Sequence, residues 1–299
     1  MNAIILAGKD APSREEIKKQ KKALEVSYPG EHYFISEEEY KPLLKINGQP
    51  IVQHVINACK GLRYIDGVFV VGIKSRLEKE LEGCSIVESC GSLIKNAQRG
   101  YSESNSEGNA LFLSCDIPLI RSRHIDEFIA DCSRHDNGLF VSVTEQKYLK
   151  GYEMQNRRYF TLKEGNYRWA NIFLGNPAKL NLNKLNRIGG MLYKNRKLSS
   201  PSVRRNLIKD LGKEMPLMEV FSKLVRYFVV SRFLKDKKLS ICELEQMARD
   251  YLDIDLKLIE TKHYESSLDV DSQEDLDYVK NLMLDCENAP REHHIFLTK

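Results

Sequence analysis

Short apolar runs recur along the first half of the chain, and polar or amphipathic stretches separate them. Residues 3–7, 67–72 and 110–113 are continuous apolar runs, and the first of them ends at Gly8. Runs this short and this apolar are typical of strands that are buried on both faces of a parallel sheet. Between the first two, apolar residues at helical spacing follow Pro50 and end before Gly61, which predicts a helix.

The same alternation continues beyond these elements. Further patterns predict strands over 85–88 and 139–143, and helices over 75–81, 93–101 and 123–132. Strands that alternate with helices are typical of an α/β domain whose sheet is mostly parallel. The sequence therefore predicts this fold class, and we place the core of the domain in residues 1–180.

The pattern changes after Gly151. Residues 159–162 and 171–174 predict two strands that flank a turn at 164–166. Residues 181–254 have mostly helical character, so we interpret them as a helical insertion.

The chain then returns to the core. Residues 255–285 predict a strand and a final helix, and Ser272 is the expected cap of that helix. The last residues, 286–299, predict a polar tail.

Charge and apolar content exclude several classes of protein. The 299 residues include 46 Lys and Arg against 42 Asp and Glu, a net charge of +4, and 42% are hydrophobic. This mild charge, without an aromatic stacking platform, predicts no nucleic-acid partner. No apolar run reaches the roughly 18–20 residues of a membrane span, and residues 3–7 are too short for a signal peptide. We therefore expect a cytoplasmic protein without a membrane partner.

The seven cysteines show no spacing typical of a metal site. The sequence has no C-x-x-C pair, and no histidine lies near a cysteine at a ligand spacing. We interpret the cysteines as reduced thiols that pack like small hydrophobic residues, and we expect no zinc site. His54 and His263 are interpreted as structural.

Polar segments follow the predicted strands at the sheet edge where open parallel sheets bind their ligands. Gly8 lets backbone amides approach a phosphate closely, and Lys41 offers a cation for a phosphate. Asp116 follows the third apolar run, where a carboxylate can hold Mg²⁺ against a triphosphate. Asp269 and Asp271 precede the final helix.

Each segment also has a purely structural interpretation. Gly8 can be a simple turn, and Lys41 can be a solvated side chain. Ser272 and Asp275 form a capping box that explains the helix start but neither Asp269 nor Asp271, and the sequence does not decide which of these two would be the second metal ligand. Because Asp116 and Asp271 both lie at one sheet edge, we expect their carboxylates to share one metal ion.

Taken in order, these motifs resemble those of nucleotidyltransferases of the molybdenum-cofactor guanylyltransferase-like type, relatives of the sugar-phosphate nucleotidyltransferases. Leu6-Ala7-Gly8 joined to Lys41-Pro42-Leu43-Leu44 is similar to the family's opening, and Asp116-Ile117-Pro118-Leu119 is similar to its Asp-x-Pro-Leu.

Two later motifs complete the resemblance. The segment from Asp269 to Leu276 is similar to the family's Asp-x-Asp-Thr-Pro-Glu-Asp-Leu. Ala170-Asn171-Ile172-Phe173 looks like a Gly-Asn-Ile-Phe stretch. The resemblance covers residues 1–180 and 255–285.

This resemblance implies a three-layer α/β/α Rossmann-like sandwich of the nucleotide-diphospho-sugar transferase type, with a mixed, mostly parallel sheet. It implies an enzyme that transfers a nucleoside monophosphate from an NTP to a small phosphorylated acceptor and releases pyrophosphate. Asp116 and Asp271 would bind Mg²⁺, Lys41 and Arg14 would be catalytic, and Asn171 would face the acceptor. The implied nucleotide-binding residues are Leu6, Ala7, Gly8, Gly91 and Ser92.

Two charged segments have candidate roles. We interpret residues 9–40 as a lid over the nucleotide that supplies cations through Arg14. Arg196 and Lys197, in the helical insertion, are adjacent cations suited to the acceptor phosphate, with a solvated helix face as the alternative.

Two other functions stay open at this point. One is a catalytically weak nucleotide-binding or regulatory protein of the same fold. The other is a metal-dependent glycosyltransferase that uses a nucleotide-sugar and an Asp-x-Asp motif. Pyrophosphate release distinguishes a nucleotidyltransferase from both.

Overall fold

The computed structural model describes residues 1–8, 40–136, 138–149, 151, 159–180 and 238–288. The strands are β1 (Asn2–Leu6), β2 (Lys45–Ile46), β3 (Gln49–Pro50), β4 (Gly67–Gly72), β5 (Ser85–Glu88), β6 (Ala110–Ser114), β7 (Leu139–Glu145), β8 (Phe160–Thr161), β9 (Asn166–Gly175) and β10 (Leu256–Thr261). The helices are α1 (Ile51–Lys60), α2 (Lys74–Leu77), α3 (Leu93–Glu103), α4 (Ser122–Cys132), α5 (Ile241–Met247) and α6 (Gln273–Asn288).

Eight of these strands form one sheet, in the order β10-β7-β9-β6-β1-β4-β5, with β8 paired to β9. β1 lies between β4 and β6 and is parallel to both. β9 is antiparallel to its neighbours β6 and β7. The predicted mixed, mostly parallel sheet is confirmed.

Helices cover both faces of the sheet, as the alternation of side chains along β1 shows. Ala3 and Ile5 pack in the cluster that includes the apolar faces of α1 and α4, whereas Ile4 packs with residues of α3 on the other face. Successive side chains of a strand point to opposite faces, so the sheet is the middle of three layers. Gly100 lets α3 approach closely, because a Cβ there would lie 2.6 Å from the Ile4 side chain.

Three elements differ from the prediction. α2 ends at Leu77, the one buried residue of the helix, and the segment up to Leu81 continues as turns in which the Glu80 and Leu81 N–H groups donate to the Leu77 carbonyl. β9 already begins at Asn166, which pairs with Thr161 across a tighter turn. α6 continues to Asn288, into the predicted tail, since the first helix-breaking residue after it is Pro290.

Parts of the predicted insertion, lid and tail lie outside the described residues, namely 181–237, 9–39 and 289–299. The described end of the insertion is helical and contains α5, followed by a π-helical turn at Ala248–Leu252. Within the described part of the chain, no helix combines the length and the apolar character needed to cross a membrane.

Candidate functional site

The structure brings Lys41, Asp116 and Asp271 together at the carboxyl edge of the sheet. The Lys41 Nζ donates to Asp116 Oδ2 and to Asp271 Oδ1, the latter at 2.9 Å. Both carboxylates are buried, with exposed fractions of 6% and 8%. The expected approach of Asp116 and Asp271 is therefore present, and an ammonium group lies between them.

Asp116 is oriented by groups on both sides of it in the sequence and in space. The Ser114 hydroxyl, at the end of β6, donates to Asp116 Oδ1. The backbone carbonyl of Asp116 accepts from the Val270 N–H at 2.9 Å. This second bond joins the end of β6 to the segment that carries Asp269 and Asp271.

Asp271 lies immediately before the start of α6, and the predicted capping box orients it. Asp275 Oδ2 accepts from the backbone N–H groups of Asp271, at 2.9 Å, and of Ser272, at 3.1 Å. The Ser272 hydroxyl accepts in turn from the Asp275 N–H at 3.2 Å. The structural and functional interpretations of this motif are thus compatible, because the box leaves the Asp271 carboxylate directed at Lys41.

Asp269 has a different partner, which the sequence did not reveal. The Arg168 guanidinium, in β9, donates to Asp269 Oδ1 at 2.7 Å, and Arg168 is only 8% exposed. Ligand oxygens of Asp116, Asp269 and Asp271 nevertheless lie within 4.8 Å of one another. The site therefore combines three carboxylates with the cations of Lys41 and Arg168.

Lys41 stays charged in this environment. Burial alone would lower the pKa of Lys41, but the charges of Asp116 and Asp271 outweigh it and raise the pKa well above its usual value. Cys115 lies beside the centre, and burial together with the Asp116 charge raises the pKa of its thiol. Cys115 is thus a protonated thiol and not a nucleophile.

Gly8 lies close to α3, where a larger residue could not fit. A Cβ at Gly8 would lie 2.2 Å from the side-chain nitrogen of Asn96, a buried residue of α3. The Asn96 side-chain oxygen accepts from the Cys90 N–H at 2.7 Å. Asn96 thus joins the glycine turn after β1 to the loop that carries Gly91.

Gly91 and Ser92 lie at the start of α3. Gly91 has a φ of +94°, a conformation that glycine adopts without strain, and has open space around its Cα. The Ser92 hydroxyl accepts from the Lys95 N–H at 3.3 Å and caps the helix. The nucleotide contacts expected of Gly91 and Ser92 stay a prediction.

Tyr40 holds the ends of β1 and β4 together, directly before Lys41. Its buried hydroxyl donates to the Ala7 carbonyl at 2.8 Å and accepts from the Ile73 N–H at 2.9 Å. The Tyr40 side chain therefore fixes the end of β1 relative to Lys41. Leu6 and Ala7, both predicted nucleotide-binding residues, lie at this end.

Asn171 lies one residue beyond the Leu113–Ile172 pair that joins β6 to β9. Its side-chain nitrogen is 3.5 Å from the Ser266 carbonyl, in the loop that leads to Asp269. The other predicted site residues, Arg14, Arg196 and Lys197, lie outside the described residues.

Sequence reasoning missed Arg168, Asn96 and Tyr40. Each acts through a partner that is distant in the sequence. None of the three left a signal in the sequence; Arg168, for example, lies between the predicted strands 159–162 and 171–174.

The fold and this site together define a class. An α/β/α sandwich that gathers a lysine and carboxylates at the carboxyl edge of its sheet has the arrangement of a nucleotidyltransferase. Residues 37–217, more than half of the chain, match the model of the MobA-like NTP transferase domain. The protein belongs to this family. The matched segment includes Lys41 and Asp116 but neither Gly8 nor Asp271.

Solved structures agree in fold. A hypothetical transferase from Thermus thermophilus superposes with a TM-score of 0.62 at 21% identity, covering 92% of this chain and all of the other. A CMP:2-keto-3-deoxy-manno-octonic acid synthetase complexed with CTP gives a TM-score of 0.52 at 13% identity, covering 95% of this chain and 99% of the other. A comparison with curated proteins by sequence gave no match.

Proposed function

We propose that this protein is a Mg²⁺-dependent nucleotidyltransferase that transfers a nucleoside monophosphate from an NTP to a small phosphorylated acceptor and releases pyrophosphate. One observation carries the proposal: Lys41, Asp116 and Asp271 meet at the carboxyl edge of the sheet in a member of an NTP transferase family. The CTP bound to the similar synthetase supports an NTP as one substrate.

The donor set fits Mg²⁺. The ion prefers carboxylate oxygens and usually takes one or two of them, together with phosphate oxygens and water. Asp116 and Asp271 are the residues that would hold it, because Arg168 already engages Asp269. The Lys41 ammonium between the two carboxylates shows that this position accommodates a cation. When bound, Mg²⁺ supplies neutralisation of the phosphate charge.

Lys41 has a second task in this proposal. The Lys41 ammonium, which donates to Asp116 and Asp271 in the metal-free site, would donate to a phosphate oxygen of the NTP if Mg²⁺ supplied the compensating charge for these carboxylates. The turn at Gly8 presents its backbone to the nucleotide. The Asn96 side chain lies against this turn and accepts from the Cys90 N–H, so it holds the loop that carries Gly91 beside the turn. Positioning and charge neutralisation are the main requirements of phosphoryl-type transfer, so a protein nucleophile is not needed.

The transfer itself is an in-line displacement. An oxygen of the acceptor phosphate forms a bond to the α-phosphorus of the NTP, and the bond from that phosphorus to the bridging oxygen of pyrophosphate breaks. Asn171 is a polar side chain of β9 near the end of β6, and we assign it to the acceptor.

A pyrophosphate-release assay tests the proposal. The full chain is incubated with each of the four NTPs, Mg²⁺ and a panel of sugar phosphates and phosphorylated alcohols. We expect pyrophosphate to appear with one NTP and one acceptor class, and we expect Asp116→Asn to lower the rate by about 100-fold or more. Asp131→Asn, a control at a partly exposed position in α4, should retain the wild-type rate.

The other outcomes identify the alternatives. NTP binding without pyrophosphate for any acceptor would favour a nucleotide-binding or regulatory protein. Release of a nucleoside diphosphate from a nucleotide-sugar, without pyrophosphate formation, would favour a glycosyltransferase.

A further inference from the structure

A second cluster of titratable side chains joins α4 to the loop after β10. Ligand atoms of His124, His263 and Glu265 lie within 4.8 Å of one another. The carboxylate of Glu127, one turn after His124 on α4, accepts from the His263 ring, with 2.6 Å between Oε2 and Nε2. We call these four side chains the histidine–glutamate cluster. Two come from a helix and two from a loop.

One atom of the cluster has an unmet requirement. Among the described residues, Glu265 Oε2 is buried and has no hydrogen-bond partner. Buried polar atoms are almost always paired, so an orphan carboxylate oxygen indicates a partner such as an ion.

We infer that the histidine–glutamate cluster binds a divalent metal ion of the zinc type, with His124, His263 and Glu265 as its ligands and Glu127 as the partner that orients His263. Two imidazoles and one carboxylate favour such an ion over Mg²⁺, which takes oxygen ligands. Three protein ligands leave the fourth position of a tetrahedral site for water.

The metal-free geometry indicates which nitrogen of the His124 ring would bind the metal. Arg123 Nε contacts His124 Nε2 at 3.0 Å, and the Arg121 N–H contacts Nδ1 at 3.2 Å. A neutral imidazole accepts at one nitrogen only, and Nε2 is the nitrogen on the Glu265 side of the ring, where a metal would bind. Nε2 also faces Glu265 Oε1, at 3.5 Å. The exposed Arg123 therefore competes with a metal for the same lone pair.

Metal binding requires modest rearrangement. Zinc bonds of about 2.0–2.1 Å place ligand atoms roughly 3.3 Å apart in a tetrahedron, closer than in the metal-free cluster. The rings of His124 and His263 are stacked, with centroids 4.4 Å apart, so one ring must turn before their lone pairs converge. His263 is the more exposed of the two and has room to turn.

The bound metal would connect the two segments that carry the carboxylates of the main site. α4 follows Asp116 closely, and Glu265 precedes Asp269 and Asp271 by a short loop. The inference does not depend on the proposed transfer reaction, because it concerns separate residues and predicts binding rather than turnover.

The test is Zn²⁺ titration of chelator-treated full chain by calorimetry, in excess Mg²⁺ so that the carboxylate site is not available. We expect saturable binding of one Zn²⁺, and visible bands of tetrahedral Co²⁺ when cobalt replaces zinc. His263→Gln and Glu265→Gln should each weaken binding at least tenfold. Arg123→Gln should tighten it several-fold, because the competing guanidinium is gone.

Two controls separate this site from other histidines. His135→Gln, at an exposed position after α4, and the double variant His293→Gln/His294→Gln should bind Zn²⁺ like the wild type. Circular dichroism confirms that each variant is folded. The inference would be overturned if Zn²⁺ showed no saturable binding with a Kd below about 100 μM. So would an affinity that His263→Gln and Glu265→Gln leave unchanged.

Discussion

Lys41 compensates the charge of two buried carboxylates at the carboxyl edge of the sheet. Its contacts with Asp116 and Asp271 remove most of the repulsion between them. Because both carboxylates raise the pKa of Lys41, this stabilisation is complete below the ordinary lysine pKa and is lost only as the pH rises through the higher folded value. At neutral pH the ammonium is therefore a permanent part of the metal-free site.

Replacing this ammonium should destabilise the metal-free protein. Lys41→Met leaves two buried carboxylates without their cation, and we expect a loss of about 1–3 kcal/mol, below the usual value for a broken buried pair because Lys41 is partly exposed. Urea unfolding in EDTA measures it, and Mg²⁺ should restore part of the loss. Lys45→Met, at an exposed pair with Glu80, is the control. Equal unfolding midpoints of the two variants would contradict this role of Lys41.

Arg168 decides which aspartates are available to a metal. It neutralises Asp269 and leaves Asp116 and Asp271 as the pair nearest Lys41. Arg168→Met adds one uncompensated negative charge to the site, so we expect Mg²⁺ to bind several-fold more tightly. Turnover should nevertheless fall at least tenfold, because Asp269 then competes as a ligand and displaces the metal from its productive position.

Arg168→Lys provides the matched comparison, since it keeps the charge but not the planar fork. Metal affinity, by calorimetry, should stay near the wild-type value in this variant. A parallel loss of metal affinity and turnover in Arg168→Met would instead indicate a general collapse of the site.

At the scale of elements, the start of α6 both stabilises a helix and orients a site residue. Ser272 caps the helix through the Asp275 N–H, and Asp275 in turn accepts from the Asp271 N–H. α5 begins with a similar box, in which the Ser240 hydroxyl accepts from the Glu243 N–H at 3.1 Å. The two caps have the same chemistry, but only one adjoins a candidate metal ligand.

This similarity gives a controlled experiment. Ser272→Ala and Ser240→Ala should each cost about 1 kcal/mol of unfolding free energy, the usual loss of a helix cap. Only Ser272→Ala should also raise the Mg²⁺ concentration needed for half-maximal pyrophosphate release, because the backbone before α6 then holds Asp271 less firmly. An equal change in both variants would show that stability, and not the position of Asp271, controls the metal response.

At the scale of the whole molecule, the parts of the fold that could be predicted are those that the local pattern of apolar and polar residues determines. The strands were predictable because a strand buried on both faces is a continuous apolar run, and β4, β5 and α1 lie where the pattern placed them. Topology places Asp116 and Asp271 at the same edge of the sheet, since both residues follow parallel strands, and the loop after β10 completes their approach.

Tertiary contacts between distant residues were not predictable in this way. Gly8 with Asn96, Arg168 with Asp269, and His124 with His263 are each brought together by the packing of separate elements. Neither partner in these pairs carries a spacing or motif that names the other. The antiparallel direction of β9 belongs to the same group, because an apolar run has the same appearance in either direction.

That direction also limits how the chain can be shortened. β9 begins beside the end of β7, at the carboxyl edge, and finishes at Gly175 beside the starts of β6 and β7, so Leu180 lies toward the opposite edge. The Leu239 carbonyl accepts from the Lys163 N–H in the turn before β9, so Leu239 lies back at the carboxyl edge. An excision variant that joins these two points must therefore span the height of the sheet. At about 3.3 Å per extended residue, a splice over the length of β9 needs roughly ten linker residues, and a two-residue graft would pull the β8–β9 turn out of register.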